Sequence, residues 1–419
     1  MKYPHYRTAC WHSRFKGIYL LLWCLIATTP IFSQTPPVTP LSASTTSEER
    51  EQSLKREGWL MRGRRMPGQP AAALRYRAYL HKLHLRAQHQ SLQVRNGKPS
   101  SRLPGTPWIS MGPAPLASDA SGDGQEDYNW VSGRATSVAI DPSDPTGNTV
   151  YLGGSYGGVW KSTNAGPLSQ SPANVVWTPV ADNQPTLAVG ALAIQPQLQN
   201  PDPTKSVIVV GTGEANSSND SYFGLGILRS PNAGNTWTLI TTDATGTRSF
   251  AGLGFSRIAF STASPNSVVA ATASTSTGII EGLENPITAN LGIYGSSDGG
   301  NTWNYANIND AGTVISPGSV SSVVYNAAAA TFYAAVRYHG FYSSTDGINW
   351  SRLANQPGSG LTTAVCPPQT ASPSLCPIYR GEISVVPGRN EMYVWYVDAN
   401  DDDQGIWTSL AYHADGLCP

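Results

Sequence analysis

Between residues 133 and 409, apolar residues come in short runs closed by Gly, Pro, Asn or Asp, the grammar of strands joined by tight turns. Aligning these runs exposes a period. A first run opens each unit: "GRATSVAIDP" (133–142), "GALAIQP" (190–196), "SRIAFST" (256–262), "SSVVYN" (321–326) and "GEISVVPG" (381–388). A second run follows each: "TVYLGG", "SVIVVGTG", "SVVAATAS", "TFYAAV" and "EMYVWYV". The third runs from Gly to Ser at 158–162, 226–230, 292–296, 340–344 and 405–409, and a Trp-led fourth ("WTPV", "WTLI", "WNYA", "WSRL") closes four of the five units. Five units of four strands, about 45–70 residues each, predict an all-β fold, the blades of a β-propeller over 105–419.

The link between third and fourth strands repeats as well. Ser296, Asp298, Gly300, Thr302 and Trp303 set its pattern; Ser230, Asn232, Gly234, Thr236 and Trp237 repeat it with Asn for Asp. Ser162, Asn164 and Gly166 precede a long insertion before Trp177, and Ser344, Asp346 and Trp350 form a copy one residue shorter. The carboxylate or amide can accept turn N–H groups, Gly supplies positive φ, and the Trp ring is expected to lie between adjacent blades. The turn is a stability device without chemistry of its own.

Ahead of the repeats the chain differs. Residues 1–103 hold 17 Lys and Arg against 4 Asp and Glu, leaving 10 basic and 23 acidic residues beyond, so the overall balance of zero hides a basic arm before an acidic body. An acidic body argues against nucleic acid as a partner. Residues 1–34 read as an export signal, with Lys2, Arg7, Arg14 and Lys16 before an apolar run from Ile18 to Ala27 and cleavage near Ser33–Gln34. That run is short for a membrane span, so the mature chain is expected without one, secreted or in the cell envelope. Residues 35–104 read as a basic linker with two short helices broken at Pro67–Pro70, the second ending near Gln90. Cys366 and Cys376 bracket a Pro-rich loop and are expected to form a disulfide, leaving Cys418 over.

The turn motif matches the Asp-box, or bacterial neuraminidase repeat, and "SGRATSVAIDPSDPTGNTVYLGGSYGGVWKSTNAG" with "GTGEANSSNDSYFGLGILRSPNAGNTW" resembles the secreted propellers related to the sortilin N-terminal domain and the xyloglucan-degrading glycosidases. The resemblance implies a secreted or envelope propeller. It does not by itself imply hydrolysis, because fold and function separate readily. Sialidases of this fold clamp a carboxylate with three arginines, and Arg134, Arg229, Arg248, Arg257, Arg337, Arg352, Arg380 and Arg389 show no such arrangement along the sequence. Where xyloglucan hydrolases carry an Asp in the first blade, this chain has Ser155, which cannot serve as a general acid near neutral pH.

The main expectation is therefore a protein- or glycan-binding module without catalysis; the alternative is a glycoside hydrolase. Candidate catalytic acids are Glu214, at the end of a second strand, and nearby Asp220, read either as a ligand contact or general acid or as a loop-ordering carboxylate. Glu281 and Glu284 lie in an insertion long enough to cross one face. Tyr222, Phe223, Tyr338 and Trp395 are either stacking platforms or core. Calcium is the one cofactor considered, at Asp119, Ser121, Asp123 and Asp127 or at Asp398, Asn400, Asp401, Asp402 and Asp403, loops that lack either the twelfth-position Glu or the sixth-position Gly. His339 reads as a packed turn residue. For closure, "TPWISMGPAP" (106–115) is expected to supply the missing fourth strand of the fifth unit, unless the natural protein is longer.

Overall fold

The second run of each unit carries almost no polar residue, as a strand covered on both faces requires. The computed structural model describes residues 71–96, 116–117, 130–131, 133–166, 174–216, 221–275, 288–354 except 311 and 317, 356, 376, 378–398 and 402–409. The chain clusters into two units, Met1–Leu60 and Met61–Pro419, and the described residues all belong to the second. They open with helix α1 (Ala71–Asn96) and a short ladder of β1 (Leu116–Ala117) with β2 (Trp130–Val131).

Antiparallel sheets follow in chain order. The first joins β3 (Ala135–Ile140), β4 (Val150–Gly154), β5 (Gly158–Ser162) and β6 (Thr178–Pro179). The second joins β7 (Val189–Ile194), β8 (Ile208–Thr212), β9 (Ile227–Ser230) and β10 (Thr238–Ile240), and the third β11 (Gly254–Phe260), β12 (Val268–Ala273), β13 (Ile293–Ser296) and β14 (Asn304–Tyr305). A hairpin of β15 (Asn307–Asp310) and β16 (Thr313–Ile315) precedes the fourth meander, β17 (Val320–Asn326), β18 (Thr331–Val336), β19 (Gly340–Ser344) and β20 (Asn349–Arg352). The last sheet has β21 (Arg380–Val385), β22 (Met392–Val397) and β23 (Asp403–Ser409).

First strands pack side by side in succession, β3 on β7, β7 on β11, β11 on β17 and β17 on β21, so the sheets radiate from a shared axis in a propeller-like arrangement. β8 and β12 are buried at every residue. Two features depart from expectation. The fourth sheet has six strands, because β15 runs parallel to β20 and brings β16 with it. The first of the two expected helices lies outside the described residues, and α1, the helix expected after Pro70, runs past Gln90 to Asn96, where Gly97 follows. It docks by its first turn, where Ala72 joins the core beside Phe223; Leu80, Leu83 and Leu85 stay exposed. The stretch 106–115 lies outside the described residues.

Four first strands share a local irregularity near their start. Register slips at Ala135/Ser137, Val189/Ala191, Phe255/Arg257 and Val320/Ser322, leaving Thr136, Gly190, Ser256 and Ser321 as bulge residues. Each reaches the next sheet. Thr136 Oγ1 donates to the Val189 carbonyl (2.7 Å), Ser256 Oγ to Val320 (2.6 Å) and Ser321 Oγ to Gly381 (2.7 Å). Gly190 stands where the backbones come closer still: a Cβ there would lie 2.2 Å from the carbonyl oxygens of both Gly213 and Phe255.

The serine turns sit farther out. Asp298 accepts from Ser296 Oγ (2.7 Å), from the N–H groups of Asn301 and Thr302 (both 2.9 Å) and from Thr302 Oγ1 (2.7 Å). Asn232 accepts from Ser230, Thr236 N and Thr236 Oγ1 in the same way. Asp346 accepts from Ser344, Ile348 and Asn349, and Asn164 from Ser162 and, across the insertion, from Val176. Gly166 packs against Asn148, and Gly234 against Val180 of the preceding sheet. Gly300, at φ +83°, leaves 3.0 Å between a would-be Cβ and Val209, again in the preceding sheet. Trp303 and Trp350 are buried in clusters that join neighbouring sheets, each donating to its own turn carbonyl (3.1 Å), whereas Trp237 reaches the Val180 carbonyl (2.8 Å).

Two outcomes follow for stability. Ser256→Ala should cost about 1 kcal/mol and Gly190→Ala about 3 kcal/mol in urea unfolding, because the first loses one hydrogen bond and the second forces two backbones apart. Burial opposes ionisation of Asp298, but the bonds from Thr302, Ser296 and Asn301 prevail and hold its carboxyl below the usual range. A depressed folded pKa contributes stability above the unfolded value of about 3.9 that is lost as pH falls through the folded one. Asp298→Asn, which copies the Asn232 turn, should therefore flatten the fall in melting temperature below about pH 4 while changing little at neutral pH.

Candidate functional site

Segments leaving second strands collect at one end of the array of sheets. Ser155 follows β4, Glu214 follows β8, Ala273 ends β12 and Arg337 follows β18, and near them lie the starts of the first strands. Two concavities share this end. One is an open groove of about 810 Å³ over the first sheet, lined by Tyr156, Trp160, Trp177 and Tyr222 with Arg134 and Ser155. The other is an axial cavity of about 60 Å³, lined by the bulge residues and by Glu214, Asn216, Arg257, Arg337, Arg380 and Glu382.

The groove's aromatics come from separate elements. Tyr156 sits in the tight β4–β5 turn at 48 % exposure, its ring centroid 4.9 Å from that of Tyr222. Trp160 projects from β5, oriented by donation from Nε1 to the Gly157 carbonyl (2.8 Å), and Trp177 immediately precedes β6. Tyr222 is placed by backbone bonds to Glu214 in both directions (2.7 and 3.2 Å). Behind them α1 sets the Arg75 guanidinium 4.5 Å above Phe223 and 6.0 Å from Tyr156.

Arg134 joins groove to cavity. Its Nη2 donates to Ser155 Oγ (2.7 Å) and to Glu214 Oε2 (2.9 Å), while Glu214 Oε1 accepts from Asn216 N (2.8 Å). Glu214 is 1 % exposed, so both carboxylate oxygens are taken by donors in a dry setting. Across the axis, Arg380 Nη1 donates to the Asn216 carbonyl (3.1 Å), and Glu382 pairs with Arg257 (3.0 Å) and, at 3.9 Å, with Arg380. Arg337 lies with its guanidinium 4.3 Å from the Tyr379 ring centroid, and burial pulls its pKa down. Arginines with no visible arrangement along the sequence are thus gathered by topology: Arg257, Arg337 and Arg380 line one cavity and Arg134 adjoins it.

Other candidates fall elsewhere. Phe223 is core, at 3 % exposure; Tyr338 makes a tilted ring contact with Tyr379 at 5.6 Å, and Trp395 donates to Asp403 (2.8 Å), both away from the groove. Asp398 accepts from Asp402 N (3.1 Å) and Gln404 (3.0 Å). His339 is partly buried in the β18–β19 turn, where burial lowers its pKa. Cys376 is buried and disulfide-bonded; Cys366 lies outside the described residues, as do Asp119, Ser121, Asp123, Asp127, Asp220, Glu281, Glu284, Asn400 and Asp401. Among the described residues no group of three His, Cys, Asp or Glu is placed to hold a metal, and no helix is long and apolar enough to cross a membrane. The groove aromatics Tyr156, Trp160 and Trp177 were not singled out as candidates from sequence; the signal was "GGSYGGVW", a Tyr held at the tip of a glycine-flanked turn.

No family model and no curated protein matches the chain. Among solved structures it is similar to an ancestral GH74 enzyme, at 24 % identity over 66 % of this chain and 29 % of that one, with a TM-score of 0.43. It is also similar to the GH74 xyloglucanase from Xanthomonas campestris, at 16 % identity over 65 % and 36 % of the two chains, TM-score 0.38. A third likeness is to YCF48 from Cyanidioschyzon merolae, at 11 % identity over 66 % and 71 %, TM-score 0.34. The chain spans about a third of the length of the two GH74 structures.

Removing Arg134 would take the charged donor from the buried Glu214 carboxylate. Arg134→Met should cost about 2–3 kcal/mol, less than a fully buried pair because Arg134 itself is 37 % exposed, and Arg134→Met with Glu214→Gln should recover part of that in a double-mutant cycle.

Proposed function

We propose that the protein is a saccharide-binding propeller that holds an extended glycan along the groove of its first sheet and does not cleave it. One observation carries this reading: four aromatic side chains, Tyr156, Trp160, Trp177 and Tyr222, line a single open groove of about 810 Å³ with Arg134 and Ser155 beside them. The volume suits several sugar rings, the aromatic faces match their apolar C–H faces, and the guanidinium and hydroxyl can meet ring hydroxyls. The export grammar of the leader supports a secreted or envelope setting, where such a module meets polysaccharide.

Hydrolysis is the alternative, and two carboxylates, Glu214 and Glu382, do line the axial cavity. Glycoside cleavage needs an acid and a base flanking a scissile bond with a sugar between them. A cavity of about 60 Å³ admits no sugar ring, and each carboxylate is engaged by arginine. Ser155, at the groove, supplies no acid.

Calorimetric titration of the full chain with neutral β-glucan and xyloglucan oligosaccharides should give saturable binding, weakened about tenfold by Trp160→Ala or Tyr156→Ala, with no new reducing ends on long incubation. Absence of binding, or release of sugar, would overturn the reading.

A further inference from the structure

Past its first turn α1 carries its cations and leucines in solvent. The sequence from Gly58 to Ser118 has ten Lys and Arg and no Asp or Glu, so nothing within the helix or near it in the chain neutralises that charge. Arg77, Lys82 and Arg86 are exposed and form no ion pair among the described residues. Lys82 lies 5.1 Å from the Tyr79 ring centroid, a contact that leaves its charge in place; Arg75, held over Phe223, is not part of the set. Leu80, Leu83 and Ala87 follow one another at helical spacing along one line, with Leu80 at 45 % and Leu83 at 40 % exposure. Arg77, three residues before Leu80, falls on one flank of that line, and Arg86, three after Leu83, on the other.

We propose that α1 lies on a bilayer of anionic phospholipid, with Leu80 and Leu83 in the acyl boundary and Arg77, Lys82 and Arg86 on the phosphates, and so tethers the strand-rich body to a membrane surface. An apolar line bordered by long basic side chains suits that boundary, because the stems lie along the apolar layer while the charged ends reach back to the head-groups. The helix is not apolar enough to cross, so it lies on the surface. Its contacts with the body are made at Ala72 and Arg75, ahead of these residues. A second copy of the chain is a poorer partner despite the acid excess beyond residue 103, because carboxylates of the body are engaged in their own turns: Asp144, Asp202, Asp243, Asp298 and Asp346 each accept N–H groups from a few residues ahead. Head-group phosphates are unpaired anions in a plane that asks for no fitted shape.

Hydrogen–deuterium exchange of the full chain tests this, read on peptides covering residues 74–88 with and without vesicles. Vesicles of equimolar phosphatidylglycerol and phosphatidylcholine should slow exchange in α1 about tenfold, phosphatidylcholine alone should not, and the protection should weaken as salt rises. Because the readout is local to α1, attachment through the apolar run Ile18–Ala27 does not mimic it. Arg77→Gln, Lys82→Gln and Arg86→Gln together should raise the lipid concentration needed for protection about a hundredfold, and Leu80→Gln with Leu83→Gln about tenfold, each variant keeping the parent's melting transition. No protection by anionic vesicles, equal protection by neutral ones, or protection that survives either set of substitutions overturns the proposal. Stronger protection of α1 by poly-glutamate than by anionic vesicles overturns the lipid assignment in favour of an acidic protein.

Discussion

The radial arrangement of sheets depends on a hydrogen bond between a bulge residue and the first strand of the sheet that follows. A bulge turns one residue of the axial strand out of its own ladder, and in three sheets that residue is a Ser or Thr whose hydroxyl finds a neighbouring carbonyl at 2.6–2.7 Å. The second sheet solves the same problem by subtraction: Gly190 lets the backbones meet where a side chain would not fit. Radial sheets pack through side chains at their outer strands, but at the axis too little room remains for apolar residues, and backbone-directed bonds take over.

Farther out, the tryptophan turns do the complementary work. Each closes on itself through a carboxylate or amide, and three of them press a glycine on the preceding sheet, Gly234 on Val180, Gly300 on Val209 and Gly347 on Val269. Trp303 and Trp350 add large buried rings whose N–H groups are satisfied locally, so burial is not opposed by an orphaned donor. Axial bonds set spacing and outer rings supply hydrophobic contact, and together they leave the face bearing Ser155, Glu214 and Arg337 free to vary.

Much of this was legible in the chain. Strand order, the Ser-to-Trp turns and the succession of sheets follow from periodicity, because each unit repeats one solution to one packing problem. The β15–β16 hairpin was missed because its apolar signal is two short runs, Asn307–Asp310 and Thr313–Ile315, no stronger than a loop's. The site was harder. Arg134, Arg257 and Arg380 occupy related places at the starts of first strands but are separated by more than a hundred residues, and Arg337 enters from a different strand. Only radial symmetry makes such positions neighbours. Glu214 was visible as a lone carboxylate; its ion pair, which decides what it can do, depends on a contact spanning 80 positions.

The hydroxyl bonds carry one last implication for how such a molecule can change. Because the first strands are tied hydroxyl to carbonyl, their spacing near the axis is set by those bonds and not by the charged side chains beside them. Trimming an arginine would alter the charge inside but hardly the width. A wider spacing would mean giving up those ties, whereas the aromatic trough, which lies beyond them, could be reshaped one residue at a time.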